Sequence, residues 1–308
     1  MNQKLTILLY HGVTESLSKG IENISGKHVD ARKFYDQMKF LKKHCNIISM
    51  EDVYLHYKNN IPFKLNTVAI TFDDGFKNNC SVALPILDNL EIPATFYITS
   101  GLIGTENMFW VDKIEDCLNL TEVHTIQINI FNERLKFDLS TREEKINSLR
   151  EIKRICKSSA NSDKDKIIDQ IINQTKVNPT PHCDNYKIMN WDDLKKLEAS
   201  KNTIIGGHSM GHEILSKLNR DQMIKNINTS IEILEKRLGI KIDHYSYPEG
   251  QHDHYDEYVI SALKSAGIKC CPSAINGLNS TDIDLFNLRR IMVGFNEEPF
   301  PKEMFIGN

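Results

Sequence analysis

The 308-residue sequence predicts an α/β fold, with βα units arranged around a parallel sheet or barrel. Three observations carry that expectation. Short apolar runs rich in β-formers alternate with helical patterns, which is the order parallel sheets need and sandwiches lack. Acidic and imidazole residues follow directly on the ends of several of those runs, where parallel α/β folds assemble their sites. One long stretch, 104–190, breaks the alternation with polar, Lys/Glu-rich helical patterns.

The strands are expected at 4–10, 66–72, 94–99, 203–207, 243–247 and 268–272. Between them, 31–43 carries Phe34, Met38 and Leu41 at helical spacing, and 221–238 carries Met223, Ile227, Ile231, Leu234 and Leu238. Gly239 is placed to end the second helix in a left-handed conformation, and Gly267 to end a helix that starts near Asp253. Within 104–190, Ile146, Leu149, Ile152 and Cys156 give one helical face before a loop containing Pro179 and Pro181. The stretch reads as a helical insertion capping one end of a single domain that spans 1–308.

With 38 basic and 41 acidic residues, a formal charge of −3, 40% hydrophobic and 26% charged residues, the chain has the balance of an ordinary globular protein. That balance argues against a nucleic-acid partner. The first residues lack a signal-peptide pattern, and no apolar run approaches the roughly 18 residues of a membrane-spanning helix. A cytoplasmic location is expected. Seven cysteines, an odd number without C-x-x-C spacing, read as reduced thiols, with Cys270 and Cys271 inside a strand.

Three short segments carry the chemistry. Asn66 to Phe72 has a strand pattern that runs into Asp73-Asp74-Gly75. Two acids thereby stand at a strand's C-terminal end, with a glycine to permit a tight turn. Alone, this triplet is more often a plain surface turn. Thr203-Ile204-Ile205 ends in Gly206-Gly207 and is followed by His208-Ser209-Met210-Gly211-His212. Two imidazoles four apart share a face on a helical turn and can chelate one ion, with a carboxylate as third ligand. The third segment is Tyr245-Ser246-Tyr247-Pro248-Glu249-Gly250, whose Pro-x-Gly turn is able to aim a backbone N–H into a cavity.

In this order, Thr71-Phe72-Asp73-Asp74-Gly75, Gly207-His208-Ser209-x-x-His212 and Tyr247-Pro248-x-Gly250 resemble the polysaccharide deacetylase family with its NodB-homology domain. The flanks, Pro85-Ile86-Leu87, Ile92-Pro93-Ala94-Thr95-Phe96 and Trp191-x-x-Leu194, resemble it too. The resemblance covers most of the chain outside 104–190. It implies a distorted (β/α) barrel and a hydrolase that removes an N-acetyl or related acyl group from an amino sugar in a glycan or a glycan precursor. The expected cytoplasmic location favours a nucleotide- or lipid-linked precursor over a finished wall polymer as that substrate. It also implies a divalent ion, expected to be zinc, on Asp74, His208 and His212, with Asp73 as general base and the backbone N–H of Glu249 as oxyanion donor.

The chain departs from the family at three points. Where many members carry a Leu-x-His near the C-terminus, it has Asn287-Leu288-Arg289-Arg290-Ile291, and no histidine follows His254. Leu8-Leu9-Tyr10-His11-Gly12-Val13 resembles instead the branch whose acid comes from the N-terminal strand, so His11 is assigned as general acid, a strand-end histidine bonded to backbone being the other reading. Glu249 replaces the usual aromatic, and the arginine that often precedes the turn is absent. Arg290 is the candidate to pair with Asp73 or cap the cavity, a surface ion pair being the other possibility. Tyr247, Pro248 and Trp110 are the candidates for substrate contact. Two other classes fit these residues: a glycan-binding protein that has lost turnover, and a metal-dependent amidase acting on a non-sugar amide.

Overall fold

A computed structural model describes residues 4–16, 18–130, 133–159, 161–295 and 300. In chain order its elements are β1 (Leu5–Tyr10), β2 (Gly12–Thr14), β3 (His28–Asp30), α1 (Ala31–His44), β4 (Asn46–Ile48), α2 (Met50–Lys58), β5 (Thr67–Phe72), α3 (Leu84–Asn89), β6 (Ala94–Ile98), α4 (Trp110–Leu120), β7 (Thr125–Ile130), β8 (Glu133–Asp138), α5 (Arg142–Ser158), α6 (Asn161–Thr175), α7 (Trp191–Ala199), β9 (Thr203–Gly207), α8 (Arg220–Leu238), α9 (Glu257–Ser265) and β10 (Ile291–Met292). The chain divides into two compact units, one of residues 1–15, 25–105 and 188–308, the other of 16–24 and 106–187.

The first unit is built on a parallel sheet in the order β10-β1-β5-β6-β9, with β4 pairing the start of β5. Every residue of β1, β5 and β6 is buried, so these strands read as continuous apolar runs, as expected of strands covered on both faces. Register then lines up the strand ends. Tyr10 pairs with Phe72 and Ile98 with Gly207, which brings the next residues, His11, Asp73, Thr99 and His208, to one edge of the sheet.

Beyond β9 the sheet continues through two single parallel bridges, Gly207 to Tyr245 and His244 to Cys270. The expected strands at 243–247 and 268–272 are thus reduced to one or two paired residues each. Pro248 and Pro272 lack the N–H a longer ladder would need. The ladders among the described residues form an open sheet, with no strand pairing that closes it into a ring.

The helices follow from their caps and apolar faces. In α1, Asp30 accepts from Lys33 N–H while Phe34, Met38 and Leu41 are buried. In α8, Asn219 and Gln222 form a reciprocal cap, a type of interaction worth about 1 kcal/mol, and Gly239 ends the helix at φ 73°. The third expected helix starts at Glu257, four residues later than Asp253, because Asp256 caps it by accepting from Tyr258 and Val259 N–H.

The second unit has its own core, in which Ile114, Cys117, Ile126, Ile128, Leu149 and Ile152 are fully buried or nearly so. It is not wholly helical as expected. Besides α4, α5 and α6 it contains an antiparallel hairpin of β7 and β8. Thr125-Ile126-Gln127-Ile128-Asn129-Ile130 alternates strictly, with its isoleucines buried, a period of two that the surrounding Lys/Glu-rich helices obscure. All seven cysteines are free thiols, with Cys270 and Cys271 buried.

Candidate active site

Asp73 leaves β5 with its N–H bonded to the Tyr10 carbonyl at 3.0 Å. The chain then reverses through Asp74 at φ 80° and Gly75 at φ 92°. A left-handed aspartate costs about 1 kcal/mol or more relative to an ordinary conformation, a strain found where a side chain must be aimed. Both carboxylates are buried, Asp73 to 3% exposure and Asp74 to 5%.

The histidines arrive from β9. Gly207 is required there because a Cβ would lie 2.6 Å from the Tyr245 ring. His208 is set by its N–H on the Ile98 carbonyl at 3.0 Å. The segment to His212 is a turn and not the helical turn expected, with Ser209 at φ 62° and His212 at φ 64°. Glu213 holds it, accepting from Ser209 Oγ at 3.0 Å and Gly211 N–H at 2.8 Å. The Tyr245 hydroxyl accepts from Ser209 N–H at 2.7 Å. The imidazole centroids end 5.0 Å apart.

Asp74 Oδ1 lies 3.6 Å from His208 Nε2 and 3.4 Å from His212 Nε2. Those spacings are long for hydrogen bonds, yet a tetrahedral ion with bonds of about 2.1 Å separates its ligands by about 3.4 Å. His208 Nε2 is buried and has no hydrogen-bond partner among the described residues, which is costly unless something else engages it. Burial lowers the pKa of both rings, that of His212 to about 3, so each offers a neutral nitrogen. The donor set fits one divalent ion.

A second group of the same residue types, Glu51, Asp243 and His244, does not. The Lys269 ammonium stands 2.8 Å from both Glu51 oxygens and 2.7 Å from Asp243 Oδ2, so its cation is built in.

Asp73 faces this centre under different control. Arg290, 1% exposed, donates to it through both terminal nitrogens at 2.8 Å and anchors its own Nε on the Ser273 carbonyl at 2.6 Å. Of the two roles open to Arg290 in the sequence, the structure gives it the buried pair. Burial acts to raise the Asp73 carboxyl, but Arg290, then His208 and His11, outweigh it and hold the pKa at about 2. His11, at the end of β1, is half-buried against Phe295, 5.1 Å between ring centroids. Its Nδ1 has no hydrogen-bond partner among the described residues, and burial lowers its pKa to about 3.

Glu249 sits at φ 59° in a turn closed by Gly250 N–H on the Pro248 carbonyl at 2.7 Å, and its carboxylate acts to raise the pKa of both His208 and His212. Tyr247 is 1% exposed, donates to the Phe286 carbonyl at 3.0 Å and stacks on Tyr255 at 3.9 Å. Its side chain therefore supports the turn and offers a ligand no surface, contrary to the expected substrate contact. Trp110 opens α4 in the second unit, packed on that unit's core with Lys164 5.5 Å from its ring. Ser246, to which the sequence reading gave no role, is fully buried beside Asp73 and His208.

Comparison with known proteins places the chain in a family. The family described as Polysaccharide deacetylase matches residues 61–271. Poly-β-1,6-N-acetyl-D-glucosamine N-deacetylases of Staphylococcus aureus are 37% identical over 100 residues, 32% of this chain and 33% of theirs, and that of Staphylococcus epidermidis is 30% identical over 93 residues. The match thus spans about a third of the length of these relatives. Among solved structures, the Streptococcus pyogenes deacetylase PplD in complex with acetate superposes with a TM-score of 0.62 at 19% identity, covering 96% of this chain and 95% of that one. IcaB from Ammonifex degensii gives 0.61 at 16% identity, covering 94% and 92%. At such identities these two structures speak for the fold.

Proposed function

Because the chain belongs to the polysaccharide deacetylase family, we propose that it is a metal-dependent hydrolase that removes N-acetyl groups from amino sugars of a glycan. The observation that carries this reading is the triangle of Asp74, His208 and His212 at ligand spacing, beside an ionised and clamped Asp73. Asp74, His208 and His212 would hold the ion, expected to be zinc, which when bound would acidify a water and polarise the acyl carbonyl.

The chain's own groups supply the rest. Asp73 accepts a proton from the attacking water. Its pKa of about 2 makes it a weak base, but Arg290 keeps it ionised and fixed in direction at every working pH. Glu249 N–H donates to the oxygen that gains charge, in the turn at the end of the Tyr245 segment. His11 gives a proton to the departing amine. Its resting ring is neutral, so the proton it delivers is the one the attacking water released to Asp73, taken up by His11 as negative charge develops on the substrate.

The substrate assigned is a polymer of N-acetylated amino sugars, in line with the names of the staphylococcal relatives. The test is acetate release from β-1,6-linked N-acetylglucosamine oligomers, chitin oligomers and a sugar nucleotide. The proposal expects acetate from an oligomer. Release from the sugar nucleotide alone would move the assignment to a cytoplasmic precursor, and no release from any of them by metal-loaded protein would contradict it.

A further inference from the structure

The proton of one buried serine links the proposed base to a proposed metal ligand. Ser246 follows the Gly207 to Tyr245 bridge, and its N–H is held by the Gly207 carbonyl at 3.0 Å, so its position is set by the sheet. Its Oγ stands 3.2 Å from Asp73 Oδ1 and 2.7 Å from His208 Nδ1. A hydroxyl has one proton and two lone pairs. Both Asp73 oxygens accept from the Arg290 guanidinium at 2.8 Å, the pairing of a carboxylate, so the Ser246 proton goes to Asp73. Oγ is then an acceptor toward His208. The Ser246 carbonyl, also an acceptor, lies 2.9 Å from the same Nδ1.

Both atoms of Ser246 therefore require a proton on His208 Nδ1, which leaves the lone pair on Nε2, the atom facing Asp74. We propose that Ser246 is a positioning residue that selects this tautomer of His208 and, with the same hydroxyl, orients Asp73. The clamp on Asp73 then has two arms: Arg290 donates to both of its oxygens and Ser246 to one. A motif built on Arg290 alone would hold the base but leave the ligand's tautomer to the backbone carbonyl.

This inference rests on the metal-site reading, but its first test needs neither metal nor activity. Nitrogen-15 shifts of the His208 ring in the metal-free protein should show a proton on Nδ1 and none on Nε2. A proton on Nε2 overturns the proposal even if the chain is a deacetylase, whereas correct tautomer with no metal binding would instead count against the metal site.

The second test is substitution. Ser246→Ala should weaken zinc binding about 10-fold or more, the usual loss when a ligand's supporting partner is removed, and lower kcat with KM little changed. Ser246→Cys, which fills nearly the same space with a poor hydrogen-bonding group, should behave like Ala, and Ser246→Thr, which keeps the hydroxyl, should recover most of the loss. Zinc affinity and kcat of the Cys variant equal to the parent's would show that the hydroxyl plays no such part.

Discussion

Two clusters in the first unit contain the same kinds of residue and behave oppositely. His244 and Ser246 are two apart on one segment, yet His244 joins Glu51, Asp243 and Lys269, while Ser246 joins Asp73 and His208. In the first, each carboxylate meets the Lys269 ammonium, and His244 Nε2 is bonded to Glu51 at 2.9 Å. In the second, Arg290 satisfies Asp73 but not the triangle beyond it, where His208 Nε2 is left with no hydrogen-bond partner among the described residues. A cluster of acids and histidines is thus a candidate site only where its own cations leave a donor atom unengaged. Position in the strand agrees. The engaged cluster lies before the end of its segment, whereas Asp73, Asp74 and His208 follow strand ends, the catalytic side of parallel α/β folds.

The largest contrast should come from removing one member of each cluster. Asp74→Ala or His208→Ala should abolish tight zinc binding and activity together, since each removes one of three protein ligands. Metal analysis after dialysis checks this, and a full equivalent of metal retained with unchanged affinity would show that the triangle is not the site. Asp73→Asn should keep the metal and lose about 10²-fold or more in kcat, because general-base help is commonly worth that much. If it lost the ion as well, Asp73 would belong with the ligands.

A smaller effect concerns pH. His11 and His212 have folded pKa values of about 3, and His208 and His244 are lowered too, against about 6.5 in an unfolded chain. Between those values the unfolded state binds the protons, so stability falls as pH drops from about 6.5 toward 3. Asp73 has the opposite character. Its stabilising contribution is complete above an unfolded value of about 3.9 and lost only as pH falls through about 2. The urea midpoint of metal-free protein should therefore already be lower at about pH 4.5 than at pH 7, and His212→Asn should reduce the difference. Equal midpoints would mean that these rings are not held neutral.

The smallest effect belongs to the other cluster. Glu51→Gln removes half-exposed contacts to Lys269 and His244, so it should cost about 1 kcal/mol, or a few degrees in Tm, and leave zinc content and kcat at parental values. A loss of activity with the metal retained would mean that the two clusters are coupled.

What could be read from sequence was local. Asp73, Asp74 and His208 stood out because each directly follows an apolar β-run, and β5 and β9 end within a residue of the expected boundaries. Gly239 ends α8 as its left-handed preference implies. What could not be read depends on distant parts of the chain or on turn geometry. The Arg290–Asp73 pair, 217 residues apart, is expected from sequence only as one of the readings open to Arg290, and Ser246 and Asp73, 173 apart, are not linked there at all. No spacing rule connects them. The His208 to His212 segment looked helical because i and i+4 share a helix face, but the side chain of Glu213 folds it as a turn instead. Tyr247 ends an apolar segment as a substrate contact would, but Tyr255 stacks on its ring. The β7–β8 hairpin was hidden by the charged helices on its C-terminal side.

The central claim is that Asp74, His208 and His212 form a metal centre for deacetylation, and one titration addresses it most directly. Acetate release from a β-1,6-linked N-acetylglucosamine oligomer is measured on protein stripped with chelator, then at rising zinc, with bound metal counted at each point. The account predicts background activity in the stripped protein and recovery that saturates at one bound equivalent, with no recovery in His208→Ala. Undiminished acetate release from protein shown to be metal-free would contradict it.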